Sequence, residues 1–377
     1  MTSIGSYPIS PLGIGRPDGT GTALVVLAGG EPARIGWLGP AAGGLDPAEV
    51  SDALGSILAA ASVHHSSGRS LPVLPEVARF WQGQPGLRGH RMADDQPGAD
   101  WSTAFAAAGH SAHPSELDPQ RIELVSTDTG RGLSVRTEFE SVPGGAVRIR
   151  HTLTNDGPGR YLLHGLDVMV PVPDRVAEIL DLTGRWGRER SPQRHPVRDG
   201  LWLREGRTGR PGPDAPTLLS VGTAGFGFGT GQVWGVHLAW SGNSRHFVER
   251  LPTGQTVLGA GELLLPGELV LAEGDSYASP WVYFVASTDG LDGLAEQLHG
   301  YLRALPAHPS APRPVVCNVW EAVYFDHDLD RLRLLADQAA AIGIERFVLD
   351  DGWFSSRRDD RSGLGDWTVS AEAWPAG

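Results

Sequence analysis

The sequence predicts a chain of two parts, an antiparallel β sandwich followed by a parallel β-α-β unit, so that the class is β and then α/β. Three observations carry this. From about residue 20 to 290 short segments of period two alternate with turn residues, which is the pattern of strands with one buried and one solvated face. At Gly290 the period changes to that of a helix, and the Pro-rich connector PAHPSAPRP follows. Beyond the connector an apolar run, a helical run and a second apolar run succeed one another. The expected domains are residues 1–305, closed by a helix near 290–305, and residues 306–377, a linker and the start of a second domain.

The first part has many short strands. LSVRTEFE (133–140) alternates Leu133, Val135, Thr137 and Phe139 against Ser134, Arg136, Glu138 and Glu140. A turn at Pro143-Gly144-Gly145 leads into a strand with Val147, Ile149, His151 and Leu153 on one face. ALVVLA, VWGVHLAW, GELLLPGELVL and SPWVYFVAS are further strand candidates. Over this length the strands predict one large sandwich. GLDGLAEQLHGYLRAL then places Leu291, Leu294, Leu298 and Leu302 on one helical face, despite Gly293 and Gly300.

In the second part PVVCNVW (314–320) reads as a buried strand and LDRLRLLADQAAAIG as a helix with acidic residues at its start and Gly343 as its C-cap. ERFVLDDGWF is the second strand and its exit loop. Parallel strands joined by one helix end on the same rim, and in a barrel of such repeats that rim binds ligands. Trp320-Glu321 stand at one strand end, and Asp350-Asp351-Gly352-Trp353 at the other.

Composition excludes several functions. The 377 residues carry a net charge of −13, which gives nucleic acid or an anionic membrane no electrostatic support. The 31 basic residues are all Arg, so Schiff-base lysine chemistry and the phosphate-binding lysine of a P-loop are absent. The one cysteine, Cys317, allows no internal disulfide and fits a reducing compartment. MTSIGSYPISPLGIG has neither a basic n-region nor a sustained apolar h-region, and no later run reaches membrane-spanning length. A soluble, cytoplasmic protein is expected.

Four motifs lose weight on inspection. GFGFG (225–229) resembles a phosphate loop, but a strand follows it where a helix should open. DHDLD (326–330) has the alternating acids of a calcium loop but carries Arg331 where the turn requires Gly, so helix capping explains it better. His64-His65 and the other histidines lack metal-ligand spacing, and Cys317 sits among Val315, Val316 and Val319 as a core thiol. No metal and no cofactor is expected. GRWGRER (184–190) and GRTGRPGPDAP (206–216) concentrate arginine in turns, as solvated loops or as donors to a hydroxylated ligand or an acidic neighbour.

FVLDDGWF differs. Period two sends Asp350 and Asp351 to opposite sides of their strand unless the backbone breaks, and Gly352 permits a break. Two carboxylates can accept hydrogen bonds from vicinal sugar hydroxyls, and a tryptophan face stacks on the C–H side of a pyranose. Against this stands a plain loop or capping role.

RPVVCNVWEAVYFD, GIERFVLDDGWF, SRRDD, LGDW and WPAG together resemble the opening of the catalytic barrel in glycoside hydrolase family 36 α-galactosidases. LPVLPE, GRWGRER, GRTG, VWGVHLAWSGN and GELLLPGELVL resemble that family's N-terminal domain. The resemblance covers essentially the whole chain. It implies a β-supersandwich followed by the first β-α-β of a truncated (β/α)8 TIM barrel, and retaining hydrolysis of terminal α-galactosyl residues. Galactosides and galacto-oligosaccharides are the implied substrates, and a homotetramer the implied assembly. Carried over residue by residue, Asp350 and Asp351 bind galactosyl hydroxyls and Trp320 lines the same subsite. Trp353 lines it too or packs the loop. An arginine lent to a neighbouring subunit is Arg79 or Arg88.

Retaining chemistry needs two carboxyl groups about 5 to 5.5 Å apart. The family places both on later barrel strands, the nucleophile in a KWD-type motif that this sequence lacks. The resemblance therefore implies a chain with part of the sugar site, no catalytic residue, no turnover and an exposed apolar edge near its C-terminal end. Alternatives are an α-N-acetylgalactosaminidase, a galactosyltransferase of the raffinose-synthase type, or a noncatalytic carbohydrate-binding fragment.

Overall fold

The computed structural model describes residues 10–15, 20–28, 32–41, 70–92, 97–113 and 121–376. His64 and His65 lie outside them. The chain divides into two compact units, Met1–Pro306 and Ala307–Gly377.

The first unit is built on a ten-stranded sheet. Its central strands, in hydrogen-bonded order, are Val233–Leu238, Val282–Ser287, Val147–Asn155 and Leu133–Ser141, and its edges are Arg188–Pro196 and Ala106–His113. Three four-stranded sheets accompany it, containing Thr22–Ala28, Arg160–Leu166 and Thr256–Glu262 respectively. All pairings in this unit's named strands are antiparallel, as alternating polarity and short turns require.

The alternation explains which sheets meet. Phe139, Val147, Ile149, Trp234, Val236 and Phe284 share one core with Leu24, Val26 and Ile35 of the first four-stranded sheet and with Val170, Val248 and Leu258 of the third. Leu133, Val135 and Leu153 continue the same face of the long sheet and pack on Leu87, Tyr161 and Leu163 of the second. On the other face of the central strands, Val233, Tyr283 and Val285 meet Leu294 of helix α1, Gly290–Ala304. Covered on both sides, Val282–Ser287 is buried at every residue, hence its unbroken apolar run VYFVAS.

The turn at Pro143–Gly145 forms where expected, pairing Val147 with Ser141. It lies against α1, and Gly144 is required there twice. Its φ is +88°, and a Cβ would come within 2.2 Å of the Gln297 carbonyl oxygen. The GFGFG loop serves the same helix. Carbonyls of Gly231, Gly227 and Phe228 accept the N–H groups of Gly290, Leu291 and Asp292 at 2.8–3.0 Å, so the loop caps a helix start with backbone.

Four expectations need correction. Glu138 and Glu140, read as a solvated face, are buried, because Arg121, Arg148 and Arg150 fold over them and Trp281 lies 4.3 Å from the Arg148 guanidinium and 4.4 Å from that of Arg150. GELLLPGELVL is two strand ends, Thr256–Glu262 and Leu269–Leu271, in different sheets, divided by a turn closed by the Glu268 N–H on the Leu265 carbonyl. Leu302 of α1 is half-exposed, while Gln297 is buried and donates to the Ala286 carbonyl. PVVCNVW contributes only Val316–Asn318 as strand, with Val315 and Val316 exposed and Cys317 half-buried.

The last correction follows from the second unit's own layering. Val316–Asn318 pairs in parallel with Arg346–Val348. One α-helix of more than a single turn accompanies them among the described residues of this unit, α3, Leu329–Ala341, which follows the single-turn α2, Trp320–Val323. Leu332 and Leu335 of α3 pack with Phe347 and Leu349, whereas Val316, on the opposite face, gains no such cover. Asp328 caps α3 by accepting the Arg331 N–H at 2.8 Å, the capping role expected for DHDLD. Gly343, at φ +87°, ends it, with Ile344 and Gly343 donating to Ala339 and Ala340.

Candidate functional site

The ends of the two parallel strands are joined by Asn318, a residue sequence reasoning did not single out. Its Oδ1 accepts the Trp320 N–H at 2.8 Å, and its Nδ2 donates to Asp350 Oδ2. The register explains the reach. Asn318 lies beside Val348, and Asp350 is two residues further along the same strand path. The structure thus brings Trp320 and Asp350 together through one amide. The Trp320 ring is held edge-on by Tyr324 and Phe325, with centroids 5.2 and 5.0 Å away.

The two acids then part company. Asp350 Oδ1 accepts the Asp351 N–H at 2.8 Å, and Asp351 Oδ1 accepts the Gly352 N–H at 2.8 Å. Those two bonds are what a plain turn would supply. Beyond them, Asp351 forms a forked pair with Arg357, with Nε 2.9 Å from Oδ1 and a terminal nitrogen 2.7 Å from Oδ2. The paired guanidinium is the chief reason that the Asp351 carboxyl titrates below the ordinary aspartate value. Arg357 is itself only 5% exposed and donates also to the Ser362 carbonyl at 2.9 Å.

Gly352 provides the break that the sequence required. Its φ is +95°, and a Cβ would press on Phe325 Cδ1 at 3.0 Å and His327 Cε1 at 3.2 Å. The loop then returns on itself through a bridge between Phe354 and Val369 and the Ser370 N–H on the Trp353 carbonyl at 3.0 Å. The Trp353 ring meets Phe354 edge-on at 5.1 Å, a loop-packing contact. Arg358, donating to the Gly352 carbonyl at 2.9 Å, ties the turn to this returning strand. Asn318 had a faint signal in its place just before Trp320. Arg357, inside the charged run SRRDD, had none that distinguished it from a solvated arginine.

The two arginines left open by the sequence differ in setting. Arg79 ends a short 3-10 turn, Val77–Arg79, donates to Glu76 at 3.1 Å and to the Phe105 carbonyl at 2.6 Å, and precedes Phe80, which is 92% exposed. Arg88 sits in the strand Leu87–Met92 and is ion-paired at 2.9 Å to Asp167, whose carboxylate is fully buried. Burial raises the Asp167 carboxyl to about 6 against the pull of Arg88. Arg204, on the strand Gly200–Gly206 that leads into the second arginine-rich turn, clamps Asp181 and the Leu182 and Pro216 carbonyls, while Trp186 of the first such turn, at the tip of the Glu178–Arg185 and Arg188–Pro196 hairpin, is 88% exposed.

A groove of about 590 Å³ in the first unit is lined by Thr20, Pro40, Ser287, Asp289, Glu296 and Arg303 among others, and by none of the strand-end residues just described. Among the described residues no group of three or more His, Cys, Asp or Glu is arranged to hold a metal ion. No described helix is long and apolar enough to cross a membrane.

Comparison with known proteins bears on both units. The family model described as the glycosyl hydrolase family 36 N-terminal domain matches residues 43–272, and the melibiase model matches residues 276–377. An alpha-galactosidase of Escherichia coli is 37% identical over 309 residues, covering 81% of this chain and 42% of that protein. Alpha-galactosidase AgaA of Geobacillus stearothermophilus is 32% identical over 267 residues, covering 70% and 37%. The chain thus spans less than half the length of these curated relatives. Among solved structures, the GH36 alpha-galactosidase AgaB of Geobacillus stearothermophilus aligns with a TM-score of 0.77 at 24% identity, over 98% of this chain and 54% of that one. The alpha-galactosidase of Lactobacillus brevis aligns with a TM-score of 0.80 at 22% identity, over 100% and 53%. These structural likenesses show the fold.

Proposed function

This chain belongs to glycosyl hydrolase family 36, and from that premise we propose that it carries the galactose-holding part of an α-galactosidase site. The observation that supports it most is the Asn318 bridge, which ties the backbone N–H of an aromatic residue, Trp320, and the carboxylate of Asp350 to one side chain at the ends of two parallel strands. A pyranose needs that combination of an apolar wall and acceptors for vicinal hydroxyls. Asp350 and Asp351 hold the galactosyl hydroxyls, Trp320 walls the subsite, and Trp353 braces the loop. No residue of this sequence is assigned the aspartate pair of retaining hydrolysis.

In this reading Val316–Asn318, α3 and Arg346–Val348 open a (β/α)8 barrel, with residues 1–305 as the supersandwich and 306–377 as linker and barrel start. The substrates are α-galactosides. Solved relatives from Geobacillus stearothermophilus hold raffinose and stachyose, which belong to that class. In a homotetramer, Arg79 suits a neighbouring subunit better than Arg88, because it lies on an exposed turn and Arg88 neutralises a buried carboxylate. The free thiol of Cys317 suits a cytoplasmic setting.

Calorimetric titration of the chain with galactose and with glucose, which differ at one hydroxyl, tests the site. Galactose binding that Asp350→Ala weakens at least tenfold is expected. Equal affinity for both sugars, or no binding to the folded chain, would overturn the proposal.

A further inference from the structure

We propose that Arg357 is the positioning residue of this site, a charged strut that holds Asp351 still and neutralises it so that two adjacent acids can share one turn. The proposal deepens the galactose reading and rests on it only for the identity of the ligand.

The lone pairs are shared unequally. Each carboxylate oxygen accepts about two hydrogen bonds. Asp350 receives one bond on each oxygen, from the Asp351 N–H and from Asn318, and so retains one open position on both. Asp351 receives the Gly352 N–H and Arg357 Nε on Oδ1, and the Arg357 terminal nitrogen on Oδ2 with Nε again at 3.1 Å. Its capacity is nearly filled. Asp350 is then the acceptor suited to a vicinal hydroxyl pair, and Asp351 accepts at most one hydroxyl.

Arg357 is built to stay where it is. Its guanidinium lies 5.6 Å from the Phe325 ring centroid and donates to the Ser362 carbonyl, and its own backbone and Cβ lie against Gly363, where a Cβ would come within 3.1 Å of the Arg357 Cβ. Phe325 in turn packs on Trp320, so the residue that fixes Asp351 touches the residue that supports the apolar wall. The titratable and charged groups around this pair are Asp350 on the same turn, His327 beneath Gly352, Arg358 on the Gly352 carbonyl, and Asp359 and Asp360 beyond Arg357. Only Arg357 among them forms a hydrogen-bonded pair with Asp351 among the described contacts. Without that cation, Asp351 would face Asp350 with no fixed countercharge, and proton uptake would relieve the repulsion.

The test compares the wild-type chain with Arg357→Gln, Arg357→Lys and, as a control on an exposed neighbouring arginine, Arg361→Gln. Two measurements are made, galactose affinity at pH 4 and pH 7, and the pH titration of the Asp351 carboxyl carbon resonance, assigned by its loss in Asp351→Asn. In Arg357→Gln the Asp351 midpoint is expected to rise to or above the ordinary aspartate value. Galactose affinity should then fall about twofold or more further at pH 4 than at pH 7, because about half of Asp351 or more is protonated at the lower pH. Arg357→Lys, which keeps the charge, should restore most of the pH independence, and Arg361→Gln should leave both readouts unchanged. A merely structural role would weaken binding equally at both pH values. An Asp351 midpoint that is the same in wild type and Arg357→Gln overturns the proposal, as does an equal effect of Arg361→Gln. If the wild-type chain binds no galactose but the midpoint moves, the strut stands and the sugar assignment falls. If Arg357→Gln does not fold, the same two readouts in Arg357→Met, which also removes the cation, decide, with an unmoved midpoint counting against the strut.

Discussion

Glu138 offers the sharpest test of how the sandwich tolerates charge. It is 1% exposed, and it accepts from Arg150 Nε at 2.6 Å, from a terminal nitrogen of Arg150 at 3.2 Å, and from Arg121. Replacing it by Gln keeps the shape but turns one acceptor into an amide donor facing a guanidinium. A hydrogen bond to a charged group contributes roughly 1.5–3 kcal/mol when buried. The two arginines remain 30% and 39% exposed, so water screens them, and about 1 kcal/mol per bond is the better figure. Gln keeps one carbonyl acceptor, so one or two of the three bonds are lost, an expected cost of about 1–2 kcal/mol, below the roughly 3–5 kcal/mol range for breaking a fully buried pair because the guanidinium groups can be rehydrated. Urea unfolding of the wild type and Glu138→Gln at pH 7, followed by the burial-sensitive fluorescence of the sandwich tryptophans, measures it. The pH dependence adds a second constraint. Burial opposes ionisation of Glu138, but the hydrogen bonds and charge of Arg150, with Arg121, outweigh it and hold the carboxyl below the ordinary glutamate value. A depressed carboxyl contributes stability above its unfolded pKa, and that contribution disappears as pH falls through the folded value. The gap between the two proteins should therefore narrow below the ordinary glutamate range. A loss under 0.5 kcal/mol at pH 7, or a gap that widens in acid, would refute the account of a paired buried charge.

Two further outcomes follow from single positions. Gly144→Ala should cost at least about 2 kcal/mol in the same unfolding assay, because the left-handed φ strains any side chain and the Cβ would drive into the Gln297 carbonyl of α1; a neutral result would mean that the turn stands off the helix. His151, fully buried, is held at about 4 by desolvation, so the unfolded chain takes up a proton first and folding loses stability from the ordinary histidine value near 6.5 down to about 4. His151→Leu should flatten that part of the stability curve relative to wild type, and an unchanged slope in urea midpoints between those pH values would count against it.

Much of this protein is local, and the sequence by itself determined that much. Alternation at Leu133–Ser141 and Val147–Asn155 makes strands because side chains two apart share a face, and Pro143-Gly144-Gly145 makes the turn because glycine accepts positive φ. Asp328 and Gly343 mark the ends of α3 for equally local reasons, the hydrogen bonds of a helix terminus. The motif around FVLDDGWF was legible as the shared end of two parallel strands, because strands joined by one helix crossover end together. Tertiary structure decided everything that depends on a distant partner. Val147–Asn155 pairs with Leu133–Ser141 nearby and also with Val282–Ser287, and no period in the sequence states the second pairing. Nor could alternation tell that the polar face at Glu138 and Glu140 would be covered, since the cover comes from arginines on adjacent strands and from Trp281. The candidate site divides in the same way. Asp350 and Asp351 were visible as a pair, but their separate partners, Asn318 across the parallel register and Arg357 across a returning loop, were set by the fold, because a carboxylate's role depends on which donors reach it.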